Sequence, residues 1–285
     1  MKTRVLLCLA FLVLSCLPAA AQQPSMQPLT FWYDYTINPG KEEQFLELVK
    51  TVGAPVRDKL MADGVVLAWG VQTPLLRVPG NATHTIWYAV ADWSGIENVQ
   101  NALQAQIAKM NEEAGKGGVT KKGAGAAPGP TARIMEIADV SKTRDFLTRD
   151  LVFAVTHVPP APGLLPYTRY NFTKVKPGKG AEYRKAWEKY NKPVLDKLLA
   201  DGIIAAYGLA VEEVRTSGDF THFTWYDVKD LGQLDKVRSA FLADRDHRSQ
   251  EEQNAITELF AGLTDPDAAR SEVDRAVIFK VSPPK

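Results

Sequence analysis

The sequence contains two copies of one pattern, so the chain must fold as a pair of similar units. Identical residues recur at a constant offset, and no gap is needed from Pro39 to Asp92. Such self-similarity is typical of an internal duplication. The clearest matches are Pro39-Gly40-Lys41 with Pro177-Gly178-Lys179, Asp58-Lys59-Leu60 with Asp196-Lys197-Leu198, and Trp87-Tyr88 with Trp225-Tyr226.

Residues 1–21 have the pattern of a secretory signal peptide. Lys2 and Arg4 precede an apolar stretch that ends at Leu17, and Ala19-Ala20-Ala21 resembles a cleavage site. No later segment is apolar enough to predict a membrane span. We therefore expect an exported protein, periplasmic or extracellular, with a lipoprotein attached through Cys16 as the alternative.

Composition excludes several classes of function. Both cysteines, Cys8 and Cys16, lie in the predicted signal peptide, so the mature chain would have no thiol nucleophile and no thiolate metal ligand. The net charge of +1 and the lack of a basic stripe argue against nucleic acid as a partner. No spacing typical of a metal site or of a phosphate-binding loop is present. We expect no cofactor and no metal.

Each copy has the same predicted order of elements. The first unit spans residues 29–158 and the second spans 167–281, with a proline-rich linker at 159–166. A strand, a helix interrupted by a proline, two strands, a second helix and a final strand follow one another in both units, which is the ferredoxin-like β-α-β-β-α-β order. The first unit alone carries an insertion at 115–130, rich in glycine and lysine, which predicts a surface loop.

The second strand of each unit indicates how the units are arranged. Residues 65–71 and 203–209 are apolar at nearly every position, whereas a half-exposed strand would alternate. Helices of the same unit can cover one face, and the other face needs a second sheet. The duplicate supplies that sheet, so we predict an α+β fold in which the two sheets pack face to face.

These features resemble the dimeric α/β-barrel superfamily, and within it the NIPSNAP-like and EthD-like small proteins. Members usually pair two ferredoxin-like chains so that two sheets close into one barrel. The resemblance implies an intramolecular pseudo-dimer, with further oligomerisation left open. It also implies several possible activities, among them cofactor-independent monooxygenases, haem-binding proteins and isomerases, so the fold does not determine the function.

Two histidines are the candidate catalytic residues. His84 and His222 begin the third strand of each unit, and histidine is the usual general base near neutral pH. Strand alternation favours a structural role instead, because it directs Trp87 and Trp225 to the face shared with Asp227 and the histidines to the opposite, helix-covered face. His247 lies on a predicted helix, and the resemblance implies comparison with the helical histidine that binds iron in haem-degrading members. Its four charged neighbours indicate a solvent-exposed surface instead.

A ligand pocket is predicted from aromatic residues at matching positions. Either core packing or a pocket for a flat apolar molecule would explain them. Arg169 and Asn171 replace aromatic residues of the first unit and would bind the polar end of a ligand, or mark a solvated edge. The predicted pocket residues are Trp69, Trp87, Arg169, Asn171, Tyr207 and Trp225.

Three functions remain open from the sequence. The first is binding of a small apolar or aromatic molecule inside the barrel. The second is a cofactor-independent monooxygenase or isomerase in which His84 or His222 abstracts a proton. The third is an assembly module that pairs with partners through exposed sheet edges.

Overall fold

A computed structural model describes residues 27–117, 128–156, 165–216 and 219–282. The predicted signal peptide, most of the linker and the centre of the insertion lie outside these residues. The described residues contain eight strands: β1 (Leu29–Tyr35), β2 (Val66–Pro74), β3 (His84–Val90), β4 (Arg144–Val155), β5 (Tyr167–Val175), β6 (Ala206–Val214), β7 (His222–Val228) and β8 (Thr264–Val281).

The helices follow the order expected from the sequence, with an additional helix before the last strand of each half. The helices are α1 (Glu42–Leu48), α2 (Ala54–Ala62), α3 (Trp93–Gly117), α4 (Pro130–Ile137), α5 (Gly180–Tyr190), α6 (Lys192–Ala200), α7 (Gly232–Asp246) and α8 (Gln250–Leu263). A π-helical turn (Val49–Gly53) joins α1 to α2, and Pro55 lies in the first turn of α2. Pro193 occupies the same place in α6. Each helix therefore restarts at its proline, as the sequence predicts.

The strands form one closed antiparallel barrel in the order β1-β3-β2-β8-β5-β7-β6-β4. The first half contributes the sheet β4-β1-β3-β2, and the second half contributes β8-β5-β7-β6 in the same internal order. The sheets join where β2 pairs with β8 and where β4 pairs with β6. The predicted fold, two ferredoxin-like repeats in an intramolecular pseudo-dimeric α/β barrel, is confirmed.

The last strand of each half begins earlier than the sequence predicts. We expected these strands at 151–158 and 276–281, whereas β4 begins at Arg144 and β8 at Thr264. The early part of β8 carries Arg270, Glu272 and Asp274, and all three face the barrel interior. Because polar residues occupy the face that is normally apolar, the hydrophobic pattern of a strand is absent there.

Three apolar clusters form the core. Two of them fill the layers between each sheet and its own helices, and they centre on Phe45 and Trp187 respectively. The third lies inside the barrel and is almost entirely aromatic: Trp32, Phe146, Tyr170, Phe172, Ala210, Phe220 and Phe223, with Trp87 and Trp225 packed against them. No helix among the described residues is long and apolar enough to cross a membrane.

Candidate functional site

Strand alternation separates the barrel interior from the helix-covered outer face. On β3 the ring of Trp87 packs against Trp32 and Phe279 inside the barrel. On β7 the indole nitrogen of Trp225 donates to Asp150 Oδ1 at 2.9 Å, also inside. Of the six predicted pocket residues, these two tryptophans are the ones that face the interior core.

Two glycines make room for these tryptophans. A Cβ atom on Gly70 would approach the Trp87 ring to 3.0 Å, and one on Gly208 would lie 2.4 Å from Trp225 Nε1. Gly70 and Gly208 pair directly with Trp87 and Trp225 across the sheet. The glycines therefore allow each indole to lie against the neighbouring strand.

One end of the barrel opens into a cavity of about 860 Å³, which we call the mouth cavity. The β1 end, the β2 end and the starts of β4 and β8 surround it. Aromatic rings form one part of its wall, and charged or amide side chains form the other part. Its lining includes Trp32, Asp34, Gln72, Arg144, Phe146, Tyr170, Phe172, Phe223, Arg270, Glu272 and Asp274.

A chain of hydrogen bonds fixes one carboxyl group in the wall of the mouth cavity. The Tyr170 hydroxyl donates to Gln72 Oε1 at 3.0 Å, and Gln72 Nε2 donates to Asp274 Oδ2 at 2.7 Å. Asp274 is 5% exposed, and its Oδ1 atom has no hydrogen-bond partner among the described residues. Burial, followed by the nearby charge of Glu272, raises the pKa of Asp274 to about 7. This carboxyl group therefore changes charge near neutral pH.

Two arginines occupy equivalent positions at the rim of the mouth cavity. Arg144 lies opposite Asp34 in the β1–β4 register, and Arg270 lies opposite Phe172 in the β5–β8 register. The Arg144 guanidinium bonds to Asp34 Oδ2 at 3.1 Å. Arg270 pairs with Glu272 and stacks 4.1 Å from the centre of the Phe172 ring. The rim thus presents two planar cations that are held in place by carboxylates and aromatic rings.

Deeper in the barrel lie two more buried carboxyl groups. Asp150 accepts from Trp225, and Asp227 accepts from the Thr168 hydroxyl at 2.7 Å. Burial raises the pKa of Asp150 to about 7 and that of Asp227 to about 6. The inward position of Asp227 agrees with the alternation of β7 in the sequence.

The histidines lie outside the barrel, on the helix-covered face to which strand alternation directs them, and this position separates them from the interior site in which a catalytic base was considered. His84 packs against Phe45 of α1 with ring centres 5.0 Å apart, and His222 packs against Tyr183 of α5 at 5.4 Å. Each ring places Nδ1 near the hydroxyl of the preceding threonine, at 3.1 and 2.9 Å. Burial lowers the pKa of both histidines to about 4, so both are neutral at pH 7. Neither lines a described cavity, and His247 is exposed at the end of α7.

Trp69 and Tyr207 also lie on the outer face, so their assignment to the barrel pocket is wrong. Trp69 Nε1 donates to Asp58 of α2 at 3.0 Å, and the Tyr207 hydroxyl bonds to Asp196 of α6. Both rings are fully buried beneath their helices. They bind each helix to its own sheet.

Arg169 and Asn171 project from β5 toward the helices of the second half. Together they line a second cavity of about 790 Å³ between that sheet and α5 to α8, which we call the outer cavity. Arg169 also reaches the edge of the mouth cavity. The predicted pocket residues are thus divided between the interior, the two helix layers and the outer cavity.

The residues that the sequence did not identify are those on the last strands. Asp274, Arg270 and Arg144 lie on β8 and β4, and Gln72 lies near the end of β2. The inward-facing Asp227 could have pointed to these residues. It shows that carboxyl groups are buried inside this barrel, so polar residues on other strands can face the interior too.

Comparison with known proteins identifies the fold. No family model matches the sequence, and no curated protein matches it. Among solved structures, the chain is similar to a proposed monooxygenase from Fusobacterium nucleatum, with a TM-score of 0.58 and 13% identity over 91% of this chain and 96% of that one. An anthrone oxidase-like protein has a TM-score of 0.52 and 12% identity over 92% and 95% of the two chains.

A third similar structure is a proposed monooxygenase from Lactobacillus acidophilus, with a TM-score of 0.52 and 10% identity over 90% of this chain and 97% of that one. At these identities the similarity concerns the fold alone. It defines the chain as a single-chain protein with the dimeric α/β-barrel fold.

Proposed function

We propose that the chain binds a small planar aromatic molecule in the mouth cavity and holds a carbonyl or hydroxyl group of that molecule at Asp274. The observation that carries this function is the unpartnered Oδ1 atom of Asp274 in the wall of an aromatic cavity. A buried carboxyl oxygen without a partner is costly, and a ligand that hydrogen-bonds to it would remove that cost. Rings such as Phe223 and Trp32 supply the apolar contact surface.

The protonation state of Asp274 determines which ligand groups it accepts. Below a pH of about 7 the neutral carboxyl can donate a hydrogen bond to a carbonyl oxygen. Above that pH the carboxylate can only accept, and it repels a carbonyl oxygen. Binding of a quinone-like molecule should therefore weaken as the pH rises through 7.

The test is quenching of tryptophan fluorescence by 1,4-naphthoquinone at pH 6 and pH 8.5. Wild-type protein should bind about tenfold more weakly at the higher pH, because only the neutral carboxyl donates. Asp274→Asn keeps an NH donor but does not titrate, so its affinity should be similar at both values. Phe223→Ala should weaken binding at both pH values.

His222→Gln serves as the control, because His222 lies on the outer face. A pH profile shared by wild type and Asp274→Asn would refute the role of Asp274. Quenching that is unaffected by Phe223→Ala would exclude the mouth cavity as the site.

A second candidate function is cofactor-independent oxygenation or isomerisation, and the raised pKa of Asp274 favours it. A base that titrates near 7 is suited to proton transfer at neutral pH. Asp274 would take a proton from a substrate carbon. Return of that proton to another carbon gives an isomer. Reaction of the carbanion with dioxygen, followed by return of the proton, gives a hydroperoxide. If the same carbon carries a second hydrogen, the hydroperoxide loses water to form a carbonyl, so that one oxygen atom stays on the carbon and the other leaves as water with both of its hydrogens.

The structural neighbours named as proposed monooxygenases motivate an assay of dioxygen consumption with quinol-type substrates. Activity that is lost in Asp274→Asn and retained in a double His84→Gln, His222→Gln variant would support Asp274 as the base. Equal activity in Asp274→Asn and wild type would refute it.

The N-terminal residues support export as a further part of the proposal. Residues 1–21 would be removed, and the mature protein would begin at Gln22 in the periplasm or outside the cell. The mass of protein recovered from the exported fraction tests this, and an intact N-terminus in that fraction would contradict it. A closer relation to the NIPSNAP-like or EthD-like proteins stays part of the proposal.

A further inference from the structure

The outer cavity lies in the second half, and the internal repeat shows how its position differs from the matching part of the first half. In the first half the corresponding layer is filled by aromatic side chains of β1 and β3. Phe31 stacks on Tyr88 with ring centres 5.7 Å apart and lies 4.8 Å from Tyr33. Gln100 on α3 donates to the hydroxyls of Tyr33 and Tyr88 at 2.6 and 3.0 Å. These contacts close the layer between sheet and helices.

An arginine completes the filling of this layer. Arg57 on α2 is 4% exposed, and its guanidinium lies 5.7 Å from the centre of the Trp69 ring. Burial lowers its pKa from the ordinary value. Its long side chain therefore occupies space that a shorter residue would leave empty.

The second half has smaller or more polar residues at the matching positions. Phe31, Tyr33 and Tyr35 are matched by Arg169, Asn171 and Thr173, and Arg57 is matched by Leu195. All four matching residues line the outer cavity. The cavity is therefore a local departure from the repeat rather than a general property of the fold.

The walls of the outer cavity combine a polar floor with an apolar roof. The sheet contributes Arg169, Asn171, Thr173 and Thr224. The helices contribute mainly apolar side chains, together with Asn191, Asp235 and Arg238 near the α6 and α7 ends of the wall: the apolar ones are Leu195, Leu234, Val237, Phe241 and Phe260. A sheet face beneath helices is normally apolar, because helices offer few partners for polar groups. Thr224 already accepts from Trp187 Nε1 at 2.8 Å, whereas Arg169 and Asn171 bond to each other and to Ser271 rather than to a helix.

The charge of Arg169 defines the chemistry of that contact. Its Nη2 donates to Ser271 Oγ at 2.7 Å and its Nε donates to Asn171 Oδ1 at 3.3 Å. Both acceptors are neutral, and within the described part of the chain no carboxylate lies within 4 Å of its nitrogens. Asp235 and Asp265 border the outer cavity but form no ion pair with Arg169. A partly buried guanidinium without a carboxylate is suited to bind an organic anion.

We propose that the outer cavity is a second binding site, separate from the mouth cavity, for a small organic acid with an apolar body. The acid group contacts Arg169 and Asn171, and the apolar body packs beneath α7 and α8 against Val237 and Phe260. The site is formed by residues of the second half. It does not depend on the function proposed for the mouth cavity.

The probe for this site is 8-anilinonaphthalene-1-sulfonate, an aromatic anion that fluoresces when it leaves water. Wild-type protein should bind it, and Arg169→Gln should weaken binding at least tenfold. Asn171→Tyr restores the first-half residue and should also abolish most of the binding, because it fills the cavity. Arg184→Gln on the surface of α5 removes the same charge outside the cavity and should leave binding unchanged.

Circular dichroism melting curves establish that each variant is folded before the titration. Binding that is unchanged in both Arg169→Gln and Asn171→Tyr would overturn the proposal. Arg169 borders both cavities, whereas Asn171 lines the outer cavity and not the mouth cavity. Loss of binding in Arg144→Gln together with wild-type binding in Asn171→Tyr would therefore locate the probe in the mouth cavity and would overturn the proposal as well.

Discussion

Replacing Asp150 by asparagine should make the protein more stable at pH 8 and leave its stability almost unchanged at pH 4. Asp150 is 6% exposed in the barrel interior and accepts one hydrogen bond, from Trp225 Nε1. An asparagine side chain has the same shape, and its Oδ1 atom can accept the same bond. The substitution therefore removes the charge and keeps the contact.

The magnitude follows from the pKa of Asp150 in the folded and unfolded states. Burial raises the folded pKa to about 7 from an ordinary value of 3.8. Below pH 4 the group is neutral in both states, and the stability contributed by its neutral form is fully present. As the pH rises to 7 the unfolded state loses its proton first, so this stability is lost at about 1.4 kcal/mol per pH unit. The total loss is about 4 kcal/mol.

The assay is urea unfolding followed by far-ultraviolet circular dichroism at several pH values. Other titrating groups, including the histidines, contribute equally to both proteins, so the difference in free energy of unfolding isolates Asp150. That difference should rise by about 4 kcal/mol in favour of Asp150→Asn between pH 4 and pH 8. A change below about 1 kcal/mol over this range would refute the assignment of Asp150 as a buried, neutral carboxyl.

Three further substitutions test other parts of the structure. As the pH falls from 6.5 to 4, the wild-type protein should lose about 2–3 kcal/mol of stability through His222, because its folded pKa of about 4 lies below the unfolded value. His222→Gln should remove that loss. A free energy of unfolding with the same pH dependence in both proteins, measured by urea titration below pH 6.5, would contradict this. Gly208→Ala should cost about 1–3 kcal/mol and lower the melting temperature, because the new Cβ would meet Trp225 and Asp150; an unchanged melting temperature would show that Trp225 has room to move. Arg57→Met should raise the free energy of unfolding by about 1 kcal/mol. The substitution removes a buried charge whose Nε has no partner in the described residues, and methionine keeps a long side chain in the same space. A decrease of more than about 2 kcal/mol would show that the guanidinium makes stabilising contacts.

The sequence was sufficient to predict the architecture because the duplication and the burial of β2 and β6 act together. Two similar units with strands buried on both faces have few ways to pack, and a barrel of two sheets is one of them. The third strand of each unit is expected at 84–90 and 222–228, and β3 and β7 have these bounds. The closed barrel leaves no free sheet edge among the described strands, so the predicted assembly module loses its basis.

The candidate site was only partly predictable, for two physical reasons. First, β2 is apolar on both faces and contains a bulge between Val66 and Ala68, so its sequence does not show which way Trp69 points. Second, the mouth cavity takes its charged residues from the last strands, whose inward-facing polar residues hide the strand pattern. Trp87 and Trp225 face the interior, as the alternation marked by Asp227 indicates, but neither ring lines the mouth cavity or the outer cavity.

Duplication within one chain is what allows this barrel to have asymmetric sites. The β1 and β5 positions at the mouth are matched by the repeat, yet Asp34 forms an ion pair with Arg144 in one half, whereas Phe172 stacks on Arg270 in the other. In a dimer of identical chains both halves would carry the same residue. Two copies of Asp34 would place two carboxylates in the barrel, and two copies of Phe172 would remove one of the two carboxylates that pair with Arg144, leaving Asp219. Because each half can change alone, position 34 carries a carboxylate where the matching position 172 carries an aromatic ring, and the outer cavity lies where the second half has exchanged aromatic residues for Arg169 and Asn171.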